Sequence, residues 1–285
     1  MKKILLSVSV LLLGLSMSAQ TYTWKLEPIN GSKTGVKASN TENIEQTMGR
    51  VEGRTFYAPN GRVFKGGTVW KIAQLMLDAQ KEMADVKSVI GYSKEEMHRG
   101  YPESVLGNWF VDNLMAECEK RCGQKVDLGI VNFGGIRINM PDGEILKDDI
   151  LSMFPFKNGV VYLKVTGKEV RNILEYMAEA GFQEVGGVRC VVKGKKLVSA
   201  TINGKEIDDD AVYGMATLSF LLNGGDGLFL GKNALEKIEL DGYIYDIMLD
   251  VVRQAKEANR PIEYQLDGRV KIYNENGELL PVKIK

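Results

Sequence analysis

The sequence predicts an α+β fold, a single domain of mixed short strands and hairpins packed with helices. Three observations carry this expectation. Helical and strand periodicities follow one another without a regular strand-helix alternation, and several tight hairpin turns separate short apolar runs. The composition is that of a packed domain, 44% hydrophobic and 26% charged over 285 residues. Strands joined locally by hairpins build antiparallel or mixed sheets rather than a doubly wound parallel one. No internal repeat or low-complexity linker divides the chain. The expected organisation is a leader over 1–19, an N-terminal arm and domain start over 20–66, and the domain proper over 67–285.

The leader rests on charge and apolar run length. Lys2 and Lys3 precede a mostly apolar stretch over residues 4–15, followed by Ser16, Met17, Ser18 and Ala19, the layout of a secretory signal peptide cleaved near Ala19. The run is short for a membrane span, and no cysteine follows the cleavage region to take a lipid, so no membrane anchor is expected. The protein is expected to be secreted, into the periplasm if the source is a Gram-negative bacterium. Residues 30–43, rich in Gly, Ser, Asn and Lys, read as a loop or loosely docked arm.

The elements follow in order. Val69, Ile72, Ala73, Met76, Leu77 and Met83 recur near a 3.6-residue period and predict a helix from Thr68 to before Asp85. A second helix is expected from Glu103 to about Arg121, with Val105, Leu106, Trp109, Phe110 and Leu114 on one face and Gly123 as its stop. The period then changes: residues 126–131 form a short apolar run, a buried strand entering a glycine turn. Residues 160–165 read as a strand running directly into a helix, where Thr166 and Glu169 have capping-box spacing and Val170, Ile173, Leu174 and Met177 make the apolar face. Residues 189–193 and 197–202 form a hairpin, and Asn203-Gly204 turns into a further short strand at Glu206 and Ile207. A strand over 212–217, an amphipathic helix over 243–255 and a terminal hairpin turning at Asn276-Gly277 complete the series.

Charge and residue counts exclude several functions. Lys plus Arg and Asp plus Glu both number 37, and loss of Lys2 and Lys3 with the leader leaves two carboxylates in excess. No polybasic face for DNA or RNA is implied. His98 is the single histidine, so multi-histidine zinc and dinuclear sites cannot be built from this chain alone. The cysteines Cys118, Cys122 and Cys190 are odd in number, and the first two stand at a helical spacing that rarely meets disulfide geometry; all three read as structural.

Three loops collect residues suited to ligand chemistry. Asn132-Phe133-Gly134-Gly135-Ile136-Arg137 follows a buried strand. Its glycines let backbone approach a ligand, and Arg137 offers a planar fork of donors for phosphate or hydroxyl oxygens. A strand-ending turn with a solvated arginine would look the same. Phe154-Pro155-Phe156-Lys157-Asn158-Gly159 places a proline between two aromatics just before a strand. Phe220-Leu221-Leu222-Asn223-Gly224-Gly225-Asp226-Gly227 surrounds one carboxylate with glycines, and Asp226 is a natural acceptor for vicinal ribose hydroxyls.

Taken together and in this order, Asn-x-Gly-Gly-Ile-Arg, Pro-Phe before a strand, and Phe-x-x-Asn-Gly-Gly-Asp-Gly resemble the 5′-nucleotidase C-terminal domain family, the substrate-binding half of periplasmic and cell-surface 5′-nucleotidases. Val89-Ile90-Gly91-Tyr92-Ser93 and Glu103-Ser104-Val105-Leu106-Gly107-Asn108 are similar to that family's opening, so the likeness runs over roughly residues 85–282. The resemblance implies that Phe156 and Phe220 sandwich a base, Asn132 hydrogen-bonds base or ribose, Arg137 holds ribose or phosphate oxygens and Asp226 accepts from the ribose hydroxyls. Gly134, Gly135, Asn223, Gly224 and Gly225 complete the implied binding loops. A family arginine ahead of the second helix has its nearest counterpart in Arg99, one place off register, with His98 beside it.

The same resemblance implies an N-terminal metallophosphoesterase domain in full-length members, with two metals held by several His, Asp and Asn residues. About 65 residues lie between the expected cleavage site and Asp85, and His98 lies outside them. No catalytic or metal-ligating residue is therefore assigned to this chain, and no cofactor; divalent metals are expected on a separately encoded metallophosphoesterase partner. The leading expectation is a secreted domain that binds a nucleoside monophosphate or related nucleotide and presents it for hydrolysis by that partner. The alternative is an extracytoplasmic nucleotide-binding or scavenging protein with no catalytic partner. A third reading, a self-sufficient hydrolase using Asp226 with Asp142, Glu144 or Asp148 as metal ligands, has no recognised metal-cage spacing behind it.

Overall fold

The structure, a computed structural model, describes residues 39–284. The expected leader and residues 20–38 of the expected arm lie outside the described residues. The first elements are α1 (Ile44–Met48), β1 (Arg50–Glu52), β2 (Thr55–Tyr57), β3 (Val63–Lys65) and α2 (Val69–Glu82). There follow β4 (Val89–Ser93), β5 (Gly100–Tyr101), α3 (Val105–Cys122), β6 (Leu128–Val131), β7 (Gly143–Leu146), α4 (Lys147–Met153), β8 (Gly159–Thr166) and α5 (Gly167–Ala180). The chain continues through β9 (Glu184–Gly186), β10 (Val188–Lys193), β11 (Lys196–Ile202), β12 (Lys205–Glu206), β13 (Val212–Leu218) and α6 (Ser219–Leu222). It closes with β14 (Glu236–Tyr243), α7 (Ile244–Glu257), β15 (Val270–Tyr273) and β16 (Lys283–Ile284).

The α+β expectation matches the architecture. A five-stranded mixed sheet in the order β14-β8-β13-β6-β9 organises the domain; β13 runs parallel to β6 and antiparallel to β8, and β14 and β9 are antiparallel to their neighbours. Its side chains alternate between two cores, as the two-residue period of a strand requires. Val160 and Tyr162 of β8 face a core made with Leu106, Trp109 and Phe110 of α3 and Ile247 and Met248 of α7. Val161, Leu163 and Val165 face the other core, built with Val170, Leu174 and Met177 of α5 and with Cys190 and Val192 of β10. Burial on both faces explains why β6 and β8 read as continuous apolar runs.

The local signals hold where their chemistry is satisfied. Ser104 Oγ accepts from the Gly107 amide at 2.9 Å and starts α3, and Gly123 ends it in the left-handed conformation at φ 67°. Thr166 Oγ1 accepts from the Glu169 amide at 3.2 Å, but the reciprocal half of the expected capping box is not made, and the Glu169 carboxylate accepts from Asn172 and Asn233 instead. The β10–β11 hairpin forms, with a register shift between Val191 and Val192, and Asn203 and Gly204 both take positive φ in the turn that follows it. Cys118, Cys122 and Cys190 are free, and burial pushes the thiols of Cys118 and Cys190 up to about 12.

Within the segment expected to hold the arm and the domain start, 20–66, the chain carries from Ile44 onward α1 and a three-stranded antiparallel sheet of β1, β2 and β3. Strands of three residues are too short to show a period, which is why the sequence did not announce them. The periodic residues of α2 also face water more than a core helix would: Ile72 is 54% exposed and Met76 52%, while Ala73 is buried. A sheet of three short strands covers only the narrow side of a helix of this length.

Candidate functional site

Strand direction brings the three candidate loops together. Because β6 and β13 are parallel, the loops after Val131 and after Leu218 leave the sheet at the same edge. Because β8 is antiparallel to β13, with Val160 opposite Leu218, the segment preceding Gly159 arrives at that edge too. Side-chain bonds tie the loops to one another. Ser219 Oγ accepts from the Gly159 amide at 3.0 Å, and Gln183 Oε1, just before β9, accepts from the Phe133 amide at 3.1 Å. Gly135, Phe154, Phe156, Asn158, Leu218 and Ile244 then line one small recess.

Within the first loop, Asn132 is 5% exposed, and its Oδ1 is buried without a hydrogen-bond donor. An unsatisfied buried acceptor costs roughly 1–3 kcal/mol. A Cβ at Gly135 would fall 2.9 Å from that same Oδ1, so the glycine leaves the amide its space. Arg137 is anchored by its backbone amide donating to the Met153 carbonyl at 2.9 Å, while Nη1 donates to the Gly134 carbonyl at 3.1 Å. Its guanidinium stands over the Phe156 ring at 5.8 Å.

The turn through Pro155, ahead of β8, separates the two phenylalanines of the second loop. Phe154 is buried against Phe110 at a centroid distance of 4.6 Å, whereas Phe156 is 45% exposed at the edge of the recess. In the third loop Phe220 is 42% exposed, and its ring lies on Gly225 so closely that a Cβ there would meet ring carbons at 2.6 Å. Asp226 follows in the left-handed conformation at φ 49°, ψ 28°, an unusual backbone state for a residue with a side chain. Asn223 is exposed, and Gly224 and Gly225 are half-buried beneath the turn.

Arg99 is half-buried beside the first loop. Its Nη1 donates to the Ile136 carbonyl at 3.0 Å, its backbone amide donates to Asn139, and its Nε is buried without a partner. It underpins the first loop. His98 shares Asn139 through a 2.9 Å contact at Nδ1 and lies 3.6 Å from Glu96. The sequence reading assigned no ligand role to Asn158, whose position beside Phe156 was the only available signal, or to Gln183, for which no local pattern exists.

A buried carboxyl lies behind the first loop. Glu184 pairs with Val131 across β9 and β6 and is 1% exposed; burial pushes its carboxyl up to about 8. Ser104 Oγ donates to it at 2.7 Å and pulls the other way, as does nearby Arg269, while Glu103 adds to the rise. Nearby, Arg269 binds Asp112 through both terminal nitrogens at 2.8 Å, and Tyr264 donates to Asp112 at 2.5 Å. These groups stitch α3 to the C-terminal segment.

Among the described residues no three His, Cys, Asp or Glu side chains converge to hold a metal ion, and Glu144 accepts instead from Asn40 at 2.8 Å. Among the described residues no helix is long and apolar enough to cross a membrane.

Comparison with known proteins narrows the chemistry. The sequence model of the family described as 5′-nucleotidase, C-terminal domain, matches residues 89–232. The chain is 28% identical over 215 residues to the trifunctional nucleotide phosphoesterase protein YfkN of Bacillus subtilis, covering 67% of this chain and 14% of that protein. It is 31% identical over 147 residues to the 5′-nucleotidase of Vibrio cholerae, covering 49% of this chain and 25% of that one. The chain thus spans a quarter or less of these two relatives. In fold it is similar to a 5′-nucleotidase precursor from Thermus thermophilus, at a TM-score of 0.62 and 23% identity over 78% of this chain and 50% of that chain.

Proposed function

The chain belongs to the 5′-nucleotidase C-terminal domain family, and from that premise we propose that it is a secreted nucleotide-binding half-site. It holds a nucleoside monophosphate or related nucleotide and presents the phosphate to a separately encoded metallophosphoesterase chain. The observation that supports the reading is the arrival of three loops at one end of the sheet, with Arg137 of the first loop standing over the exposed Phe156 ring of the second and Ser219, at the head of the third, bonded to Gly159. Secretion rests on the leader pattern of residues 1–19.

In this reading Phe156 and Phe220 stack on the base, and the Asn132 amide bonds base or ribose. Asp226 accepts from the ribose hydroxyls, and Arg137 binds ribose or phosphate oxygens with its planar fork of donors. Cleavage of the phosphate ester requires charge stabilisation that these side chains do not provide, so the divalent metals belong to the partner. Stacking is worth about 1–3 kcal/mol per base and a charge-assisted hydrogen bond about 1.5–3, against several lost on association. A half-site of this kind binds with a Kd of roughly 10 μM to 1 mM.

The test is a calorimetric titration of residues 20–285 with AMP, with the Phe156→Ala, Phe220→Ala double variant as control. Binding in that range, lost in the control, supports the half-site. Sub-micromolar binding favours a complete extracytoplasmic receptor with no catalytic partner. A metallophosphoesterase equally active on AMP with and without this chain removes the two-chain reading.

A further inference from the structure

The turn that carries Asp226 is built from conformations that the chain does not adopt unaided. Gly224 has φ 105°, Asp226 φ 49° and Gly227 φ 77°, so the left-handed region is occupied three times within four residues. Glycine adopts it freely, but an aspartate there is disfavoured unless local hydrogen bonding or surrounding structure holds it. Local bonding does not: among the described residues the Asp226 carboxylate has no hydrogen bond or ion pair. Two backbone bonds close the turn, from the Gly227 amide to the Gly224 carbonyl at 3.1 Å and from the Leu228 amide to the Gly225 carbonyl at 2.9 Å.

Two side chains that the binding reading does not use bear on the same turn. The Phe229 ring lies against Gly224, where a Cβ would stand 2.9 Å from Cζ and 3.0 Å from Cε1. The Tyr176 hydroxyl, reaching over from α5, would stand 2.6 Å from a Cβ on Gly227. Neither residue is part of the core: Phe229 is 58% exposed and Tyr176 44%. Phe229 is held by its neighbours, since Leu228 and Leu230 are buried and the Leu230 amide donates to the Leu221 carbonyl at 3.0 Å. The turn is thus gripped at its first glycine by the segment that follows it and at its last by α5.

We propose that Tyr176 and Phe229 are positioning residues that hold the turn over 224–227 so that Asp226 keeps the left-handed conformation in which it meets the ligand. The proposal rests on the reading of Asp226 as a ligand-binding carboxylate, and it adds residues outside the loops that carry the family motif. Both side chains act through backbone. The ring of Phe229 can be replaced by another ring without loss, whereas truncation frees the turn to relax.

The experiment compares AMP binding by wild type, Tyr176→Ala, Phe229→Ala, Phe229→Tyr, Asp226→Asn and the Asp226→Asn, Phe229→Ala double variant. Hydrogen exchange at the Gly227 and Leu228 amides is measured in parallel. Expected are a loss of about fivefold in affinity for each alanine variant, wild-type affinity for Phe229→Tyr, and no further loss from Phe229→Ala once Asp226 is already asparagine. Exchange at the two turn amides should accelerate in both alanine variants while amides of α5 keep their protection. If Asp226→Asn weakens binding but both alanine variants bind as wild type, the positioning role is overturned and the binding reading stands. If Asp226→Asn binds as wild type, the binding reading of Asp226 fails. If wild type binds no AMP, unchanged exchange in the alanine variants overturns the brace, and accelerated exchange upholds the grip on the turn.

Discussion

The guanidinium carbon of Arg137 stands 5.8 Å above the centroid of the Phe156 ring, joining the cation of the first loop to the aromatic of the second. A cation over a ring face is drawn to its negative quadrupole, which pre-positions both groups. Arg137→Ala is expected to weaken AMP binding by about 10- to 100-fold, the worth of a charge-assisted contact. Adenosine should lose less if the fork holds the phosphate. Arg137→Lys restores only part of the affinity, because a point charge does not reproduce a planar fork. Calorimetry with the two ligands checks this, and equal losses for both would move Arg137 to the ribose.

Phe154 and Phe156 stand two residues apart and should respond oppositely. Phe154 is 2% exposed and packed on Phe110, so Phe154→Ala is expected to cost about 3–5 kcal/mol of stability. Phe156→Ala should change stability by no more than about 0.5 kcal/mol while abolishing AMP binding. Urea titrations of the two variants, read beside their binding isotherms, make the comparison.

Gly225→Ala should disable the third loop. The added methyl would fall 2.3 Å from the Phe220 carbonyl oxygen and 2.6 Å from its ring, and a backbone atom cannot yield as a flexible side chain would. The expected result is displacement of Phe220, loss of AMP binding, and a stability cost of about 1–3 kcal/mol. Full binding by the folded variant would show that the ring is free to move without consequence.

Glu184 predicts a pH dependence of stability. Its carboxyl is raised to about 8 by burial, so the folded protein keeps the proton over a range in which the unfolded chain has lost it. More protons are bound in the folded state between the ordinary glutamate value and about 8, so stability falls as pH rises through that window and levels off above it. Glu184→Gln removes this titration and should flatten the decline, by on the order of 2–4 kcal/mol between pH 5 and 8. Thermal unfolding at pH 5, 6, 7 and 8 tests it; parallel curves for wild type and variant would place the titration elsewhere.

Much of the fold was legible because its signals are local. Ser104 and Gly123 bound α3 through bonds made within a few residues, Asn203-Gly204 turns its strands by backbone conformation alone, and the apolar faces of α5 and α7 follow one period. The three-stranded sheet over residues 50–65 was not legible, since strands of three residues carry no period. The solvent-facing side of α2 was equally hidden. Periodicity says that a helix has an apolar face, but not how much surface arrives to cover it.

By itself the sequence determined the fold class, the family and the residue types of the three loops, because motif spacing and side-chain chemistry are properties of adjacent residues. The tertiary structure decided that these loops leave the sheet at one end. That outcome depends on β6 and β13 being parallel and β8 antiparallel, a relation among strands far apart in the chain. It also decided that Arg99 braces the Ile136 carbonyl and that Glu184 loses its water to the packing of α3 against β9. Such facts arise from contacts between segments distant along the chain, and no local pattern encodes which surfaces close over a given side chain.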